Sequence, residues 1–251
     1  MTDLTVIVTA HDETVVSGPT MRSADQAVAV AREAGLSVQP IIVLDRATAG
    51  TTAYFTQPRF GQWETRVFHE GDLGRVRNAV VPDTDGRFVA FLDADDLFSE
   101  NWLAAGVAVL DAAHERGERA IAHPELNMVF DGTRSVLVNI PDDSPLFTPY
   151  YLYVRHYYDS LLLAPREAHL EIPYVGRDVP NGLSYQDFQF TIETFAAGWR
   201  HLVVPDTVIF KRRRDFSLVT ESNARKSVVR SLPAMAIDRV AELARPTGKS
   251  G

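Results

Sequence analysis

Cysteine is absent from the sequence of 251 residues, and this absence removes several kinds of site at once. A disulfide framework, a thiolate metal site and a cysteine nucleophile are all excluded. Long apolar runs are absent too, since nowhere do about 18 apolar residues follow one another. The first residues also lack a basic segment followed by an apolar one. We therefore expect a cytoplasmic protein without a transmembrane segment, for which any membrane contact would be peripheral.

An excess of positive charge is missing as well. Lys and Arg total 25 against 33 Asp and Glu, so the formal net charge is -8. This balance argues against a protein that holds nucleic acid through its phosphates. An anionic ligand must then be met locally, by a metal ion or by a few arginines. With 45% hydrophobic and 23% charged residues and no internal repeat, the composition is that of one ordinary globular domain.

Short apolar runs in the first half of the chain predict the strands of a parallel sheet. The first, LTVIVTA at residues 4–10, does not alternate, which is typical of a strand buried on both faces. A helix over residues 24–34 follows, with Ser23 and Gln26 as a capping box and Gly35 at its end. Further strands are predicted at residues 40–44, 65–68 and 87–92. Strands joined through helices indicate a parallel sheet with right-handed crossovers.

The second half predicts a mixed or antiparallel extension of this sheet. Short strand candidates lie at residues 128–130, 135–138, 160–163 and 202–204. A one-faced apolar stripe predicts a helix over residues 184–197 that Gly198 ends. Residues 227–244 have a helical pattern interrupted at Pro233, and residues 245–251 are expected to be a frayed tail.

A cluster of carboxylates follows the strand at residues 87–92. Asp93, Asp95 and Asp96 stand at the carboxyl end of that strand, where open α/β sheets bind their ligands. Their mutual repulsion is tolerable if Mg²⁺ or Mn²⁺ lies among them, because these ions prefer oxygen ligands and share them with phosphates. The alternative is that Asp95, Asp96 or Ser99 caps the helix that begins near residues 100–101.

The context of this cluster resembles a known family. The segments GRVRNA (74–79) and DGRFVAFLDADD (85–96) are similar to family 2 glycosyltransferases of the GT-A fold, which carry an Ala-Arg-Asn-like segment, a Gly-aromatic strand and Phe-Leu-Asp-x-Asp-Asp. The resemblance starts at residues 6–13 and extends to YQDF (185–188) and KRRRDFS (211–217).

The resemblance implies an α/β protein of the GT-A class, with a Rossmann-like, mostly parallel central sheet, helices on both faces and a small mixed β extension. It assigns residues 1–226 to one glycosyltransferase domain. Within it, residues 1–99 would bind the nucleotide-sugar and residues 100–226 the acceptor, while residues 227–251 would form a C-terminal helix and tail.

The resemblance also implies a donor site. Asp93 would contact the ribose or the metal-bound diphosphate, and Asp95 would be the direct ligand of Mn²⁺ or Mg²⁺ beside Asp93, with Asp96 in support. Asp45 would receive hydrogen bonds from uracil or ribose, although the family's usual Asp-Asp-Gly-Ser is replaced here by DRAT at residues 45–48. The remaining donor-binding positions are Thr9, His11, Glu13 and Ala94, with His11 against the base unless it is an ordinary surface histidine.

Arg77 has the chemistry to pair with the diphosphate, since its fixed fork of donors meets phosphate oxygens bidentately. The alternative is a surface salt bridge to a nearby acid.

Asp187 is the candidate catalytic base. It matches the second residue of the family's Glu-Asp pair, with Gln186 in place of the glutamate. Inverting transfer needs one carboxylate to take the acceptor's proton and proceeds without a covalent intermediate. A retaining enzyme would not require Asp187 at this position. The structural alternative is a capping pair of Ser184 and Asp187 at the start of a helix.

Two further segments have open interpretations. The basic run 211–214 is either a solvated patch or part of a loop that closes over the donor. Asp215 stands where the family often has histidine, so a third protein metal ligand is not carried over. The aromatic stretch YYLYVRHYY (150–158) and Trp199 are expected on the acceptor side, although such clusters are as often core or a partner interface.

The predicted function is therefore transfer of a sugar, with inversion, from a nucleoside-diphosphate sugar, first of all a UDP-sugar, to an acceptor hydroxyl. The acceptor would be a glycan, a glycolipid or a small molecule, as in polysaccharide biosynthesis, and a homo-oligomer is compatible with this function. A nucleotidyltransferase or a dinucleotide oxidoreductase would need a Gly-rich loop after the first strand, which TAHDE (9–13) is not. A non-catalytic sugar- or nucleotide-sugar-binding module on the same fold is the alternative.

Overall fold

The computed structural model describes residues 2–213 and 218–244. They form a nine-stranded mixed sheet with helices packed against it. The strands are Thr2–Ala10 (β1), Val38–Asp45 (β2), Glu64–Phe68 (β3), Gly86–Asp93 (β4), Leu97–Phe98 (β5), Ala120–Asp131 (β6), Ser135–Val138 (β7), Leu163–Pro165 (β8) and Arg200–Arg213 (β9). The helices are Ser17–Glu33 (α1), Ala49–Phe55 (α2), Leu73–Val80 (α3), Trp102–Glu115 (α4), Arg166–Glu171 (α5), Gln186–Ala196 (α6), Leu218–Ala224 (α7) and Ile237–Leu243 (α8).

The parallel half of the sheet has the strand order β3-β2-β1-β4, and each of its neighbouring pairs is parallel. Side chains of β1 alternate between two separate cores: Leu4, Val6 and Val8 pack on one face, and Ile7 packs on the other. A strand covered on both faces needs apolar residues at every position, which explains the non-alternating run. The predicted strands and the GT-A class of fold are confirmed here.

The rest of the sheet is mixed, as predicted. β8 pairs antiparallel with β4 and β6, and β9 pairs parallel with β6. β5 pairs antiparallel with β9, and β7 pairs antiparallel with β6. β9 extends well beyond the predicted residues 202–204 and continues to Arg213. Its length matters because it carries residues from the core to the carboxyl end of β4.

The first helix begins earlier than its sequence pattern predicts. α1 starts at Ser17, so the capping box at Ser23 and Gln26 is wrong. The hydroxyl of Ser23 lies inside the helix and donates to the carbonyl oxygen of Thr20 at 2.8 Å, which satisfies it without a cap. The predicted end is confirmed, since Gly35 follows the helix with φ of +89°.

The helix predicted over residues 227–244 is present only in part. Val228 forms a parallel bridge with Leu183, and its N–H donates to the carbonyl oxygen of Gly182 at 2.9 Å. Pro233 begins a short 3₁₀ turn, and the α-helix itself starts at Ile237. Backbone pairing with the segment before α6 therefore takes the place of the first helical turns. Residues 245–251, the expected tail, lie outside the described residues.

Within the two described ranges, no helix has both the length and the apolar composition required to cross a membrane.

Candidate active site

The carboxyl ends of three neighbouring parallel strands bring the first candidate residues together. Thr9 near the end of β1 is the register partner of Asp93 at the end of β4. The Thr9 hydroxyl donates to Asp93 Oδ1 at 3.1 Å, and the N–H of Ala94 donates to the Thr9 carbonyl oxygen at 2.9 Å. Thr9, Asp93 and Ala94 therefore form one hydrogen-bonded unit at the edge where α/β sheets bind ligands.

Asp45, at the end of β2, organises the adjacent loops. Its carboxylate accepts hydrogen bonds from the backbone N–H groups of Glu70 at 2.7 Å and Gly71 at 2.9 Å. His11 Nδ1 donates to the Asp45 carbonyl oxygen at 2.8 Å, because a carbonyl can only accept. Glu13 Oε2 accepts from the backbone N–H of His11 at 2.8 Å. The carboxylate oxygens of Asp45 each have a second lone pair with which to accept from a ligand.

Asp93 lies between two cationic side chains. Its Oδ1 is 3.3 Å from an Arg77 nitrogen, and its Oδ2 is 3.4 Å from Lys211 Nζ. Burial alone would raise the pKa of Asp93, but Lys211 and Arg77 outweigh it and lower that pKa below its ordinary value. Asp93 is therefore ionised, and both of its oxygens contact cations.

Arg77 is buried beneath this end of the sheet, with a side chain only 1% exposed. Its guanidinium lies over the rings of Phe91 and Tyr174, at 4.9 and 5.5 Å from their centroids. Burial lowers its pKa, but Asp93, Tyr174 and, to a lesser extent, Asp187 together raise it. The alternative of a surface salt bridge is wrong, because the pair with Asp93 is buried on the arginine side. Its contact with a diphosphate stays a prediction.

Asp187 lies half-buried in the first turn of α6. The capping pair with Ser184 is not formed: Ser184 Oγ lies 2.8 Å from Ser222 Oγ, and the residue before the helix is Tyr185 in the left-handed region at φ of +63°. Because Ser184 and Asp187 make no capping box, that structural explanation for the acid at this position is wrong. Asp187 and Asp93 are far apart in sequence, yet both act electrostatically on Arg77.

The capping alternative for the acidic cluster is also contradicted for Asp96 and Ser99. α4 begins at Trp102 without a side-chain cap, and Ser99 Oγ donates instead to Asn101 Oδ1 at 2.8 Å. Asp96 is 2% exposed; its Oδ1 accepts from the Arg212 N–H at 2.7 Å, and its Oδ2 is 2.6 Å from Lys211 Nζ. Its role is to anchor β9 against the end of β4.

Lys211 is the residue at this site whose role sequence reasoning missed. Its side chain is 14% exposed, so the solvated-patch interpretation is wrong for this residue, and its ammonium is also 3.3 Å from Asp159 Oδ1. A signal was present in the strand period: Ile209 and Thr207, two and four residues earlier, are fully buried, and a strand turns every second residue to the same face. Arg214 and Asp215 lie outside the described residues.

The carboxylates fit a divalent cation in part. Within residues 2–213 and 218–244, no group of three or more acidic or histidine side chains is arranged to hold a metal ion. Asp93 does not fit as a direct ligand while both of its oxygens contact Arg77 and Lys211. Asp95 fits as a single carboxylate ligand, because Mg²⁺ and similar ions are often held by one or two carboxylates together with substrate phosphates and water.

The aromatic stretch expected on the acceptor side divides into buried and exposed residues. Tyr157 and Tyr158 are core residues, 6% and 3% exposed, whereas Tyr150, Tyr151 and Tyr153 are 42, 38 and 47% exposed. Trp199 does not present a face to a sugar. It is 2% exposed and lies in a core cluster, with the Arg119 guanidinium 4.1 Å from its ring centroid. The prediction for Trp199 is therefore wrong.

Comparison with known proteins gives a family match for the region that contains the strand ends. The model of the family described as Glycosyl transferase family 2 matches residues 5–120. No match was found among curated protein sequences.

Solved structures share the fold over most of this chain. S. aureus TarS 1-349 in complex with UDP-GlcNAc is 17% identical at a TM-score of 0.59, with 86% of this chain and 60% of that chain covered. GalNAc-T7 with UDP, GalNAc and Mn²⁺ is 17% identical at a TM-score of 0.59, with 85% of this chain and 44% of that chain covered. The mannosyltransferase PcManGT from Pyrobaculum calidifontis, in complex with GDP-Man and Mn²⁺, is 17% identical at a TM-score of 0.56, with 83% of this chain and 56% of that chain covered. The chain thus spans less than two thirds of these structures.

Proposed function

Residues 5–120 match the model of glycosyl transferase family 2, and on that basis we propose that the chain transfers a sugar from a nucleoside-diphosphate sugar to an acceptor hydroxyl. The observation that carries the proposal is the convergence of Thr9, Asp45 and Asp93 at the carboxyl ends of three adjacent parallel strands inside the matched region. This edge is where open α/β sheets bind nucleotides.

For the donor, we propose a UDP-sugar. Asp45 would accept hydrogen bonds from the uracil ring or the ribose, His11 would lie against the base, and Thr9, Glu13 and Ala94 would shape the same pocket. TarS and GalNAc-T7 are described with UDP-containing ligands, which favours uridine, whereas PcManGT is described with GDP-Man. A guanosine donor is therefore the variant to test beside uridine.

For the metal, Asp95 would be the protein ligand of Mn²⁺ or Mg²⁺, and diphosphate oxygens and water would supply the other ligands. The ion would take up negative charge that develops on the leaving nucleoside diphosphate. The charges of Arg77 and Lys211 keep Asp93 ionised beside the diphosphate, where it can accept a hydrogen bond from the ribose.

Asp187 would be the base. Direct attack by an acceptor hydroxyl on the anomeric carbon requires a carboxylate on the face opposite the leaving group, and the product is then inverted. The shared influence of Asp93 and Asp187 on the buried Arg77 supports their belonging to one site. The acceptor, a glycan, a glycolipid or a small molecule, would enter from the side of the exposed tyrosines Tyr150, Tyr151 and Tyr153.

The nucleotide part of this proposal is tested by thermal unfolding of the chain with uridine, guanosine, cytidine and thymidine diphosphates, each with and without Mn²⁺. We expect the uridine nucleotide with Mn²⁺ to raise the Tm most, because a ligand that binds only the folded state stabilises it. If none of the four nucleotides changes the Tm under either condition, the chain is no nucleotide-sugar transferase.

The catalytic part is tested by Asp187→Asn, which keeps the size of the side chain but removes the base. We expect nucleotide binding to persist while kcat falls by about 10²–10⁴-fold. The matched control is Glu193→Gln on the same helix, which should leave kcat close to that of the parent. Transfer by Asp187→Asn at the parent rate, or retention of the anomeric configuration in the product by NMR, would contradict the proposed base. Nucleotide binding without any transfer by the parent chain would favour the non-catalytic binding module.

A further inference from the structure

Lys211 contacts three carboxylates, two from the acidic cluster after β4 and one from a distant part of the chain. Its ammonium is 2.6 Å from Asp96 Oδ2, 3.3 Å from Asp159 Oδ1 and 3.4 Å from Asp93 Oδ2. An ammonium group has three N–H donors, so the three carboxylates match its full donor capacity. Each N–H of the Lys211 ammonium therefore has a carboxylate partner.

The carboxylates depend on this lysine as much as it depends on them. Asp96 is only 2% exposed, so Lys211 and the Arg212 N–H take the place of water at its two oxygens. The Lys211 side chain is 14% exposed, and three carboxylates lie within 3.4 Å of its ammonium and favour the charged form. The ammonium therefore stands where such a cluster would otherwise need another cation.

We infer that Lys211 is the permanent counter-cation of this acidic cluster, so that the free chain does not hold a divalent cation and takes one up only together with the donor's diphosphate. This goes beyond the proposed function by fixing the order of binding, and only the diphosphate step rests on that function.

The physical reason is a competition for the same oxygens. A divalent ion that entered the cluster alone would have to displace Lys211 from Asp93 or Asp96 and deprive a largely buried ammonium of one of its three partners, which is unfavourable. An ion that arrives with a diphosphate brings phosphate oxygens as ligands and needs only one further carboxylate, such as Asp95. Lys211 then stays in place.

The test is titration of the nucleotide-free chain with Mn²⁺, in which binding removes the EPR signal of free Mn²⁺. Beside the parent we compare Lys211→Met, which keeps the apolar stem but removes the ammonium, and Lys226→Met, a control at an exposed lysine. We expect weak binding by the parent and the control, and binding at least about tenfold tighter by Lys211→Met, which is about 1.4 kcal/mol. Adding UDP should tighten Mn²⁺ binding by the parent and the control.

Tight binding of Mn²⁺ by the nucleotide-free parent would overturn the inference, whatever the variants do. Equally weak binding by the parent and Lys211→Met would also overturn it, because the lysine would then not be what excludes the ion. If Lys211→Met does not fold, the double variant Lys211→Met/Asp96→Asn replaces it in the comparison. The double variant removes one carboxylate together with the ammonium. Failure of UDP to bind under any condition would count against the proposed function, while the comparison of nucleotide-free proteins would still decide the role of Lys211.

Discussion

Arg77 shows how a single buried cation can interact with two carboxylates that are far apart in the sequence. It pairs with Asp93 and responds electrostatically to Asp187, while Phe91 and Tyr174 cover its planar group. Lysine carries the same charge but has a compact ammonium that neither forms a planar fork nor stacks on rings in the same way. A lysine at position 77 would therefore keep the positive charge but would not hold it in the same position.

Arg77→Lys is therefore expected to lower the free energy of unfolding by about 1–3 kcal/mol, because hydrogen bonds to a buried charge and two ring contacts are lost. UDP affinity should fall as well, since the Asp93 carboxylate loses its fixed partner. Urea unfolding and a nucleotide titration measure the two effects. Arg75→Lys, at an exposed position on the same helix, is the control. An unchanged UDP affinity in Arg77→Lys would show that Arg77 does not support the donor site.

At the scale of elements, the site depends on close pairing of β1 with β4, because their register sets Thr9 beside Asp93. The pairing starts at Gly86, whose N–H donates to Thr5 Oγ1 at 3.0 Å. A Cβ atom at Gly86 would stand 2.4 Å from the Thr5 nitrogen, closer than real Cβ atoms come. Glycine is thus required here by the close approach of two backbones.

Gly86→Ala is expected to lower the free energy of unfolding by roughly 2–3 kcal/mol, because the start of β4 must move away from β1 or strain its backbone. Chemical denaturation measures the change. Gly50→Ala is the matched control, since a Cβ there meets only ordinary van der Waals contacts in α2 and alanine favours a helix. Equal stability of Gly86→Ala and the parent would mean that the two strands separate here at no cost.

β9 illustrates an element whose length local pattern did not predict. Its sequence suggested a strand over residues 202–204, but pairing with β6 along nearly its whole length extends it to Arg213. That extension delivers Lys211 to Asp93 and Asp96.

At the scale of the whole molecule, several histidines are buried as neutral groups. His169 is 4% exposed, packs against Phe91, Tyr174 and Phe190, and has no hydrogen-bond partner at either ring nitrogen. Burial, and then the charge of Arg77, lower its pKa to about 3. In the unfolded chain the pKa returns to its ordinary value of about 6.5.

The lowered pKa makes stability fall with acid. Above pH 6.5 the histidine is neutral in both states, whereas between pH 6.5 and 3 only the unfolded state gains the proton. His169 alone then costs about 2 kcal/mol of stability between pH 6.5 and pH 5. His169→Phe keeps an aromatic ring without a titrating nitrogen, so we expect it to lose about 2 kcal/mol less than the parent between pH 7 and pH 5.

Urea unfolding at the two pH values measures the difference. The exposed His114→Gln should follow the parent. A parallel loss in His169→Phe and the parent would mean that His169 is not held neutral in the folded state.

The amino-acid sequence was sufficient to predict the parallel strands and the acids at their ends. Apolar runs such as residues 4–10 favour strands that are buried on both faces of a parallel sheet. Asp45 and Asp93, which end two such strands, then lie at the edge where open α/β sheets bind ligands. The start of α6 beside Asp187 was also predicted to within two residues, because an apolar stripe is a local pattern.

Which charges come into contact depends on the packing of distant segments. Lys211, Asp159 and the neighbouring Asp93 and Asp96 belong to three separate segments, and their contact depends on the register of β9 against β5 and β6, which no local periodicity encodes. The burial of Arg77 and Trp199 depends in the same way on what covers them. The sequence therefore determined where the acids stand along the chain. Packing between distant segments decided that a lysine, rather than solvent, lies among them.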